Sequence, residues 1–201
     1  MSKIKILNSV SGYDLAAFDY DKKEKYLNSF EQNKVLPLFG DINKKNILDV
    51  GAGTGRLATI LFNAGAEVTA LDVSSEMLQQ LVKKNQKIKT VVGDAEELPF
   101  PDSTFDFVTA AFLVVHLKDP SSFFDEAYRV LRDGGKLIIT NINQKEPPEV
   151  KTKEGKIKIE SFYHRPERII EQLESLAFKI KKNIFVYEKD IWINQIVVAS
   201  K

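Results

Sequence analysis

Cysteine is absent from this chain, and its absence removes whole classes of chemistry. A thiolate nucleophile, a thiolate-held metal and a cysteine-ligated iron–sulfur cluster all lack their essential atom. Histidine is nearly as scarce: His116 and His164 stand 48 positions apart with no cysteine beside them, so there is no local metal-binding pattern. Charge of one sign is also missing. With 29 basic and 28 acidic residues the formal net charge is +1, and no overall field draws the chain to nucleic acid or to an anionic membrane. No apolar run reaches bilayer-spanning length, and Met1-Ser2-Lys3-Ile4-Lys5 lacks a signal-peptide core and cleavage site. The expectation is a cytoplasmic protein without membrane insertion. What remains is 201 residues, 43% hydrophobic and 28% charged, enough for one well-covered core and a single domain over 1–201.

Hydrophobic periodicity alternates along that domain. Strand-like segments at 46–50, 67–72, 89–93, 105–112 and 135–141 are separated by helical patterns near 55–64, 75–85 and 120–132. Phe123, Phe124, Ala127, Val130 and Leu131 share one helix face, opened by Pro120 and followed by Gly134-Gly135; Ile169, Ile170, Leu173, Leu176 and Ala177 repeat the spacing after Pro166. Two closing strands, 178–187 and 191–200, are joined by Glu188-Lys189-Asp190, a link short enough to require an antiparallel hairpin. The pattern predicts an α/β fold with a doubly wound, mostly parallel, seven-stranded sheet, an antiparallel last strand and an N-terminal helical segment.

One turn in that pattern carries chemistry. Leu48-Asp49-Val50-Gly51-Ala52-Gly53-Thr54-Gly55-Arg56-Leu57-Ala58 reads as a strand, a bare-backbone turn and a helix. Glycine lets the backbone itself lie against a ligand, and the helix start aims unpaired N–H groups and its positive dipole end at it. The next strand, Glu67 to Asp72, ends on a carboxylate 21 positions after Gly51, where open α/β sheets place an acceptor for ribose hydroxyls. A helix N-cap is the competing role for Asp72, and Ser74 or Ser75 fits that role better. A dinucleotide fingerprint wants a third glycine where this chain has Arg56, and an uncharged strand end where it has Asp49. Both departures count against an NAD-dependent oxidoreductase.

The downstream text Val92-Gly93-Asp94-Ala95-Glu96-Glu97-Leu98-Pro99-Phe100-Pro101-Asp102-Ser103-Thr104-Phe105-Asp106-Phe107-Val108, taken with the glycine turn and Asp72, resembles the class I S-adenosylmethionine-dependent methyltransferases. The nearest group is the small-molecule enzymes of ubiquinone and menaquinone biosynthesis. The resemblance runs from about Tyr13 to Lys201 and is strongest between Asn46 and Asn141. It implies a Rossmann-like methyltransferase fold with S-adenosylmethionine as cofactor and S-adenosylhomocysteine as product. It also implies that Asp49, Gly51, Ala52 and Gly53 lie along the methionine part and that Asp72 accepts from the ribose. Asp94 would meet the adenine amino group, with the Ala95 N–H beside the ring and Val73 and Leu98 as apolar contacts to its faces. The strand end at Ala111 would pass beside the sulfonium. Asp94 has a competing role as a cap of the turn before Leu98. Members that methylate nucleic-acid amines carry an Asn/Asp-Pro-Pro-Tyr/Phe motif after the fourth strand; here the text is Ala110-Ala111-Phe112-Leu113-Val114-Val115-His116. The missing cysteine likewise excludes cytosine C5 and arsenic chemistry. A small-molecule methyl acceptor is the expectation, with a non-catalytic binding module acting through a protein partner as the alternative.

A base is needed only where the acceptor must lose a proton. His116 follows the fourth strand on the ligand-binding edge, so it is the candidate general base; packing beside Leu117 is the competing role. His164, just before Pro166, reads as a structural entry residue. Two segments outside the nucleotide-binding frame are expected to cover the site: a helical lid over 13–40, rich in aromatics, and a variable loop over 143–162 containing Pro147-Pro148 and a lysine-rich run. Tyr13 and Tyr20 either shape an acceptor pocket or serve helix packing.

Overall fold

The computed structural model describes residues 4–153 and 155–201; Met1-Ser2-Lys3 and Glu154 of the lysine-rich run lie outside the described residues. In chain order the elements are β1 (Lys5–Leu7), α1 (Ser9–Ala16), a 3₁₀ stretch (Ala17–Lys23), α2 (Glu24–Glu31), β2 (Asn46–Val50), α3 (Arg56–Asn63), β3 (Glu67–Asp72), α4 (Ser75–Lys84), β4 (Lys89–Val92), β5 (Phe105–Ala110), α5 (Ser121–Val130), β6 (Leu131–Ile142), β7 (Glu149–Thr152), β8 (Gly155–Ile159), α6 (Pro166–Ser175), β9 (Lys179–Glu188) and β10 (Ile191–Ser200). The main sheet has seven strands in the order β4-β3-β2-β5-β6-β10-β9. β2, β3, β4, β5 and β6 run parallel, while β10 pairs antiparallel with both β6 and β9.

The double winding follows from side chains alternating across each strand. Leu48 and Val50 of β2, Val108 and Ala110 of β5, and Val197 and Ala199 of β10 enter one core with Phe123 and Phe124 of α5 and Ile169 and Leu173 of α6. Ile47, Phe107, Ile196 and Val198 enter the other core with Leu57 and Leu61 of α3 and Leu78 and Leu81 of α4. Both faces are therefore covered, as parallel strands require. The chain starts in the middle at β2, winds outward to β4 and returns to β5, which leaves a crevice at the carboxyl ends of β2 and β5.

Two expectations change. β6 begins at Leu131 rather than at 135, taking Leu131 from the helix face expected near 120–132, because Phe105 pairs with Leu131 before a register shift carries the ladder to Lys136. The segment 143–162 is not simply a loop. β7 and β8 form an antiparallel hairpin, and β1 pairs parallel with β8, giving a second, three-stranded sheet. Its inner face buries Val150, Ile157 and Ile159 against Ala16, Ala17 and Met77. The signal was present in Lys156-Ile157-Lys158-Ile159, whose alternation is that of a half-buried strand.

Candidate functional site

The glycine turn leaves β2 and enters α3 at the crevice. Gly53 has φ +57, and a Cβ built there would meet nothing nearer than the Tyr20 ring, at 4.0 Å. Gly55 differs: at φ +82 its added Cβ would run into Leu81. The first glycine faces open space and the second a packed helix.

Asp72, at the end of β3, is 7% exposed. Its Oδ2 accepts from the Gly53 N–H at 2.8 Å and its Oδ1 from the Ser74 N–H at 2.9 Å. Burial pushes its carboxyl above the ordinary value, and these N–H groups oppose the shift. Ser74 caps α4, its Oγ accepting from the Met77 N–H at 3.1 Å while donating to Asp14 Oδ1 of α1 at 2.6 Å. The N-terminal segment is thus tied to the strand end that holds the glycine turn.

Asp49, inside β2, is 2% exposed. It accepts from the Ala58 N–H in the first turn of α3, but its Oδ2 has no partner. Burial pushes its carboxyl from 3.8 up to about 7, against the pull of the Arg56 guanidinium. Arg56 itself is engaged elsewhere. Its two terminal nitrogens donate to the two carboxylate oxygens of Glu31 at 2.8 and 2.7 Å, and one also donates to Asn28 at 2.9 Å. The residue that breaks the dinucleotide fingerprint is therefore the anchor of α2.

Two adjoining cavities lie over these groups. The larger, about 290 Å³, is lined by Gly51, Gly53, Asp72, Val73, Asp94, Ala95, Ala111 and His116, among others. The smaller, about 40 Å³, is lined by Asp49, Ala52, Arg56 and both loop glycines, and Tyr20, Ala111 and Phe112 border both. Leu98 lines neither of these two. It is 3% exposed within the core, and its N–H donates to Glu126 Oε2 at 2.7 Å. The apolar side of the larger cavity is supplied instead by Leu71, Val73 and Met77. Asp94 Oδ1 accepts from the Glu96 N–H at 2.9 Å, so the residue caps its turn and also borders the cavity. Phe112 has φ +65, a costly conformation for a bulky residue, held by its N–H donating to Thr140 Oγ1 at 2.8 Å and its ring stacking edge-on against Phe30.

His116 sits on a 3₁₀ turn after β5. Its Nδ1 is 2.9 Å from the Glu160 carbonyl oxygen and its Nε2 is 2.6 Å from the Tyr13 hydroxyl. A carbonyl only accepts, so Nδ1 carries the proton and Nε2 receives that of Tyr13. Burial lowers the histidine's basicity, which favours the neutral ring. His164 is buried, its Nε2 2.9 Å from the Leu117 carbonyl oxygen, as a structural residue should be. Sequence reasoning missed Asn8, Ser9 and Val10 as cavity residues, because they precede the expected 13–40 lid at the start of α1, whereas Glu160 falls in the 143–162 segment expected to cover the site.

Strand order, crevice and acid-lined glycine turn define a nucleoside-binding α/β protein. Residues 48–139 match the family model described as a methyltransferase domain. The chain is 35% identical over 157 residues to a demethylmenaquinone methyltransferase of Thermotoga maritima, covering 75% of this chain and 66% of that one. It is 31% identical over 171 residues to an uncharacterized protein of Methanocaldococcus jannaschii, covering 83% and 80%. A crystal structure of a SAM-dependent methyltransferase from Aquifex aeolicus matches with TM-score 0.68 and 25% identity over 89% of this chain and 96% of that one. The chain belongs to the class I S-adenosylmethionine-dependent methyltransferases. Of three curated quinone-biosynthesis relatives it matches, it spans 66%, 57% and 42% of their length.

Proposed function

We propose that this protein binds S-adenosylmethionine across the two cavities and transfers its methyl group to a small organic acceptor. The observation that carries the reading is the buried Asp49, which lines the smaller cavity beside the glycine turn and whose Oδ2 has no partner. An unpaired buried carboxylate is costly, and the ammonium of the cofactor's methionine part is the partner it lacks. Gly51, Ala52 and Gly53 give the methionine chain a backbone surface to lie on, Asp72 has lone pairs left for the ribose diol, and Asp94 with the Ala95 N–H suits the adenine edge. Val73 supplies an apolar wall for the ring, and Ala111 borders the passage between the two cavities, where the sulfur would sit.

When bound, S-adenosylmethionine supplies a methyl group already activated by its positive sulfur. The chain's own work is to align the acceptor with that methyl, to exclude water and to take up a proton. Tyr13, Tyr20 and Phe112 cover the larger cavity, and His116 is the candidate base. The relatives are named for demethylmenaquinone and for ubiquinone and menaquinone biosynthesis, so a quinol is the first acceptor to try. The test is transfer of labelled methyl to candidate acceptors, alongside calorimetry with the cofactor. Transfer to a small molecule supports the reading. Binding without transfer to any acceptor would return the chain to a cofactor-binding module, and binding of NAD instead would refute it.

A further inference from the structure

The N-terminal helix and the second sheet converge on His116. Tyr13 comes from α1, and Glu160 follows β8 with its N–H donating to the Leu7 carbonyl oxygen of β1 at 2.8 Å. The histidine is thereby locked from both sides. Glu160 fixes the proton on Nδ1, and the Tyr13 hydroxyl occupies Nε2 at 2.6 Å, leaving the imidazole no free lone pair for an acceptor. Tyr13 itself borders the larger cavity, its ring edge-on to Tyr20 with centroids 5.8 Å apart. A base whose lone pair is taken by a second hydroxyl can still receive a proton, but only through that hydroxyl.

Resting on the methyltransferase reading, we infer that Tyr13 and His116 form a two-member proton relay in which Tyr13 touches the methyl acceptor and His116 stores the proton. As the acceptor's N or O attacks the methyl carbon, the carbon–sulfur bond breaks and its electron pair stays on sulfur. The acceptor's N–H or O–H proton passes to Tyr13 Oη while the Tyr13 hydroxyl proton moves to His116 Nε2. The positive charge that began on sulfur ends on the imidazolium, whose Nδ1–H still donates to the Glu160 carbonyl. No free tyrosinate forms, in keeping with burial beside Tyr20 and Asp72, which raises the Tyr13 hydroxyl well above its ordinary acidity range. Among the described residues, the cavity lining carries Asp72, Asp94, Glu96 and Glu160 but no lysine or arginine. With Glu160 beside the pair and no lysine or arginine in that lining, the larger cavity offers nothing to pair with a phosphate or carboxylate on the acceptor, and the relay itself requires a reacting atom that sheds a proton.

The experiment uses the full chain, labelled S-adenosylmethionine and two probes, 1,4-naphthohydroquinone and 2-phenylethylamine, between pH 6 and 9.5. The titratable groups facing the pair are Tyr20, Asp72 and Glu160, so each variant is compared with wild type at every pH. Tyr13→Phe keeps the ring and should lower kcat by about 10²-fold, with KM and cofactor affinity within about threefold and the solvent deuterium isotope effect lost. His116→Asn should match it, and the double variant should be no worse than either single one, because the two act as a unit. Wild-type kcat in Tyr13→Phe overturns the relay. So does a fall in activity that parallels lost cofactor affinity, which would make Tyr13 a structural cover. Cofactor binding by wild type with no transfer to either probe, while other acceptors are methylated, would overturn the relay and leave the enzyme reading standing; no transfer to any acceptor would overturn both.

Discussion

Asp49→Asn should make the free protein more stable and the cofactor complex weaker, and both effects can be sized. The Asp49 carboxyl titrates at about 7 when folded against 3.8 ordinarily, so the folded state holds its proton more tightly than the unfolded chain. For a raised carboxyl, stability falls as pH rises from the unfolded value through the folded one. At about 1.4 kcal/mol per tenfold change in ionisation, the raised carboxyl costs wild type about 2 kcal/mol at pH 5, where folding must take up a proton, and about 4 kcal/mol at pH 8, where the charge itself is buried. Asparagine has no such term; its amide leaves two donors unpaired where the protonated acid leaves one, a difference that does not change with pH. The stability gap in favour of Asp49→Asn should therefore widen by about 2–3 kcal/mol between pH 5 and 8, read by urea unfolding at each pH. The cofactor's ammonium would lose a charged hydrogen-bond partner, worth about 1.5–3 kcal/mol, roughly 10–150-fold in Kd. Wild-type affinity for the cofactor should also fall as pH drops below about 7, because Asp49 must shed its proton to bind. A variant no more stable at pH 8, or one that binds the cofactor like wild type, would refute the assignment of Asp49.

The glycine turn should divide into a ligand-facing and a packing half. Gly53→Ala should cost only about 1–2 kcal/mol of stability, the left-handed backbone penalty, yet sharply weaken cofactor binding. Gly55→Ala meets Leu81 and should cost about 2–4 kcal/mol through overpacking added to that penalty; thermal unfolding and calorimetry separate the two. Glu31→Ala should destabilise by about 3–5 kcal/mol, because it strands the Arg56 guanidinium in a pair whose side chains are 8% and 13% exposed. Replacing both Glu31 and Arg56 with methionine should recover most of that loss in urea unfolding.

Legibility of the sequence tracked sequence distance. The seven main strands and the four core helices are written in local periodicity, and Ser74 as the α4 cap could be chosen over Asp72 from position alone. Asp49 and the loop glycines were visible because a strand, a turn and a helix put them within a few residues of one another; Asp72 was visible as the end of the next strand, and Asp94 through the family resemblance. Leu98 was expected at the adenine face, but an apolar residue near Asp94 can face a ligand or the core; here it packs in the core, its N–H donating to the Glu126 carboxylate 28 residues on and its carbonyl accepting from Arg129. Arg56 could be recognised as a departure, but its partner Glu31 lies 25 residues back on a helix with no motif. The second sheet was least legible. Its strands are three to five residues long and join positions about 150 residues apart, and the Tyr13–His116 contact spans 103 residues.

The most direct test of the whole account is calorimetric titration of wild type and Asp72→Ala with S-adenosylhomocysteine and with NAD. Wild type should bind S-adenosylhomocysteine and ignore NAD, and Asp72→Ala, still folded, should bind roughly 10–150-fold more weakly, the loss of a charged acceptor. Equal affinity in the two proteins, or binding of NAD alone, would contradict it.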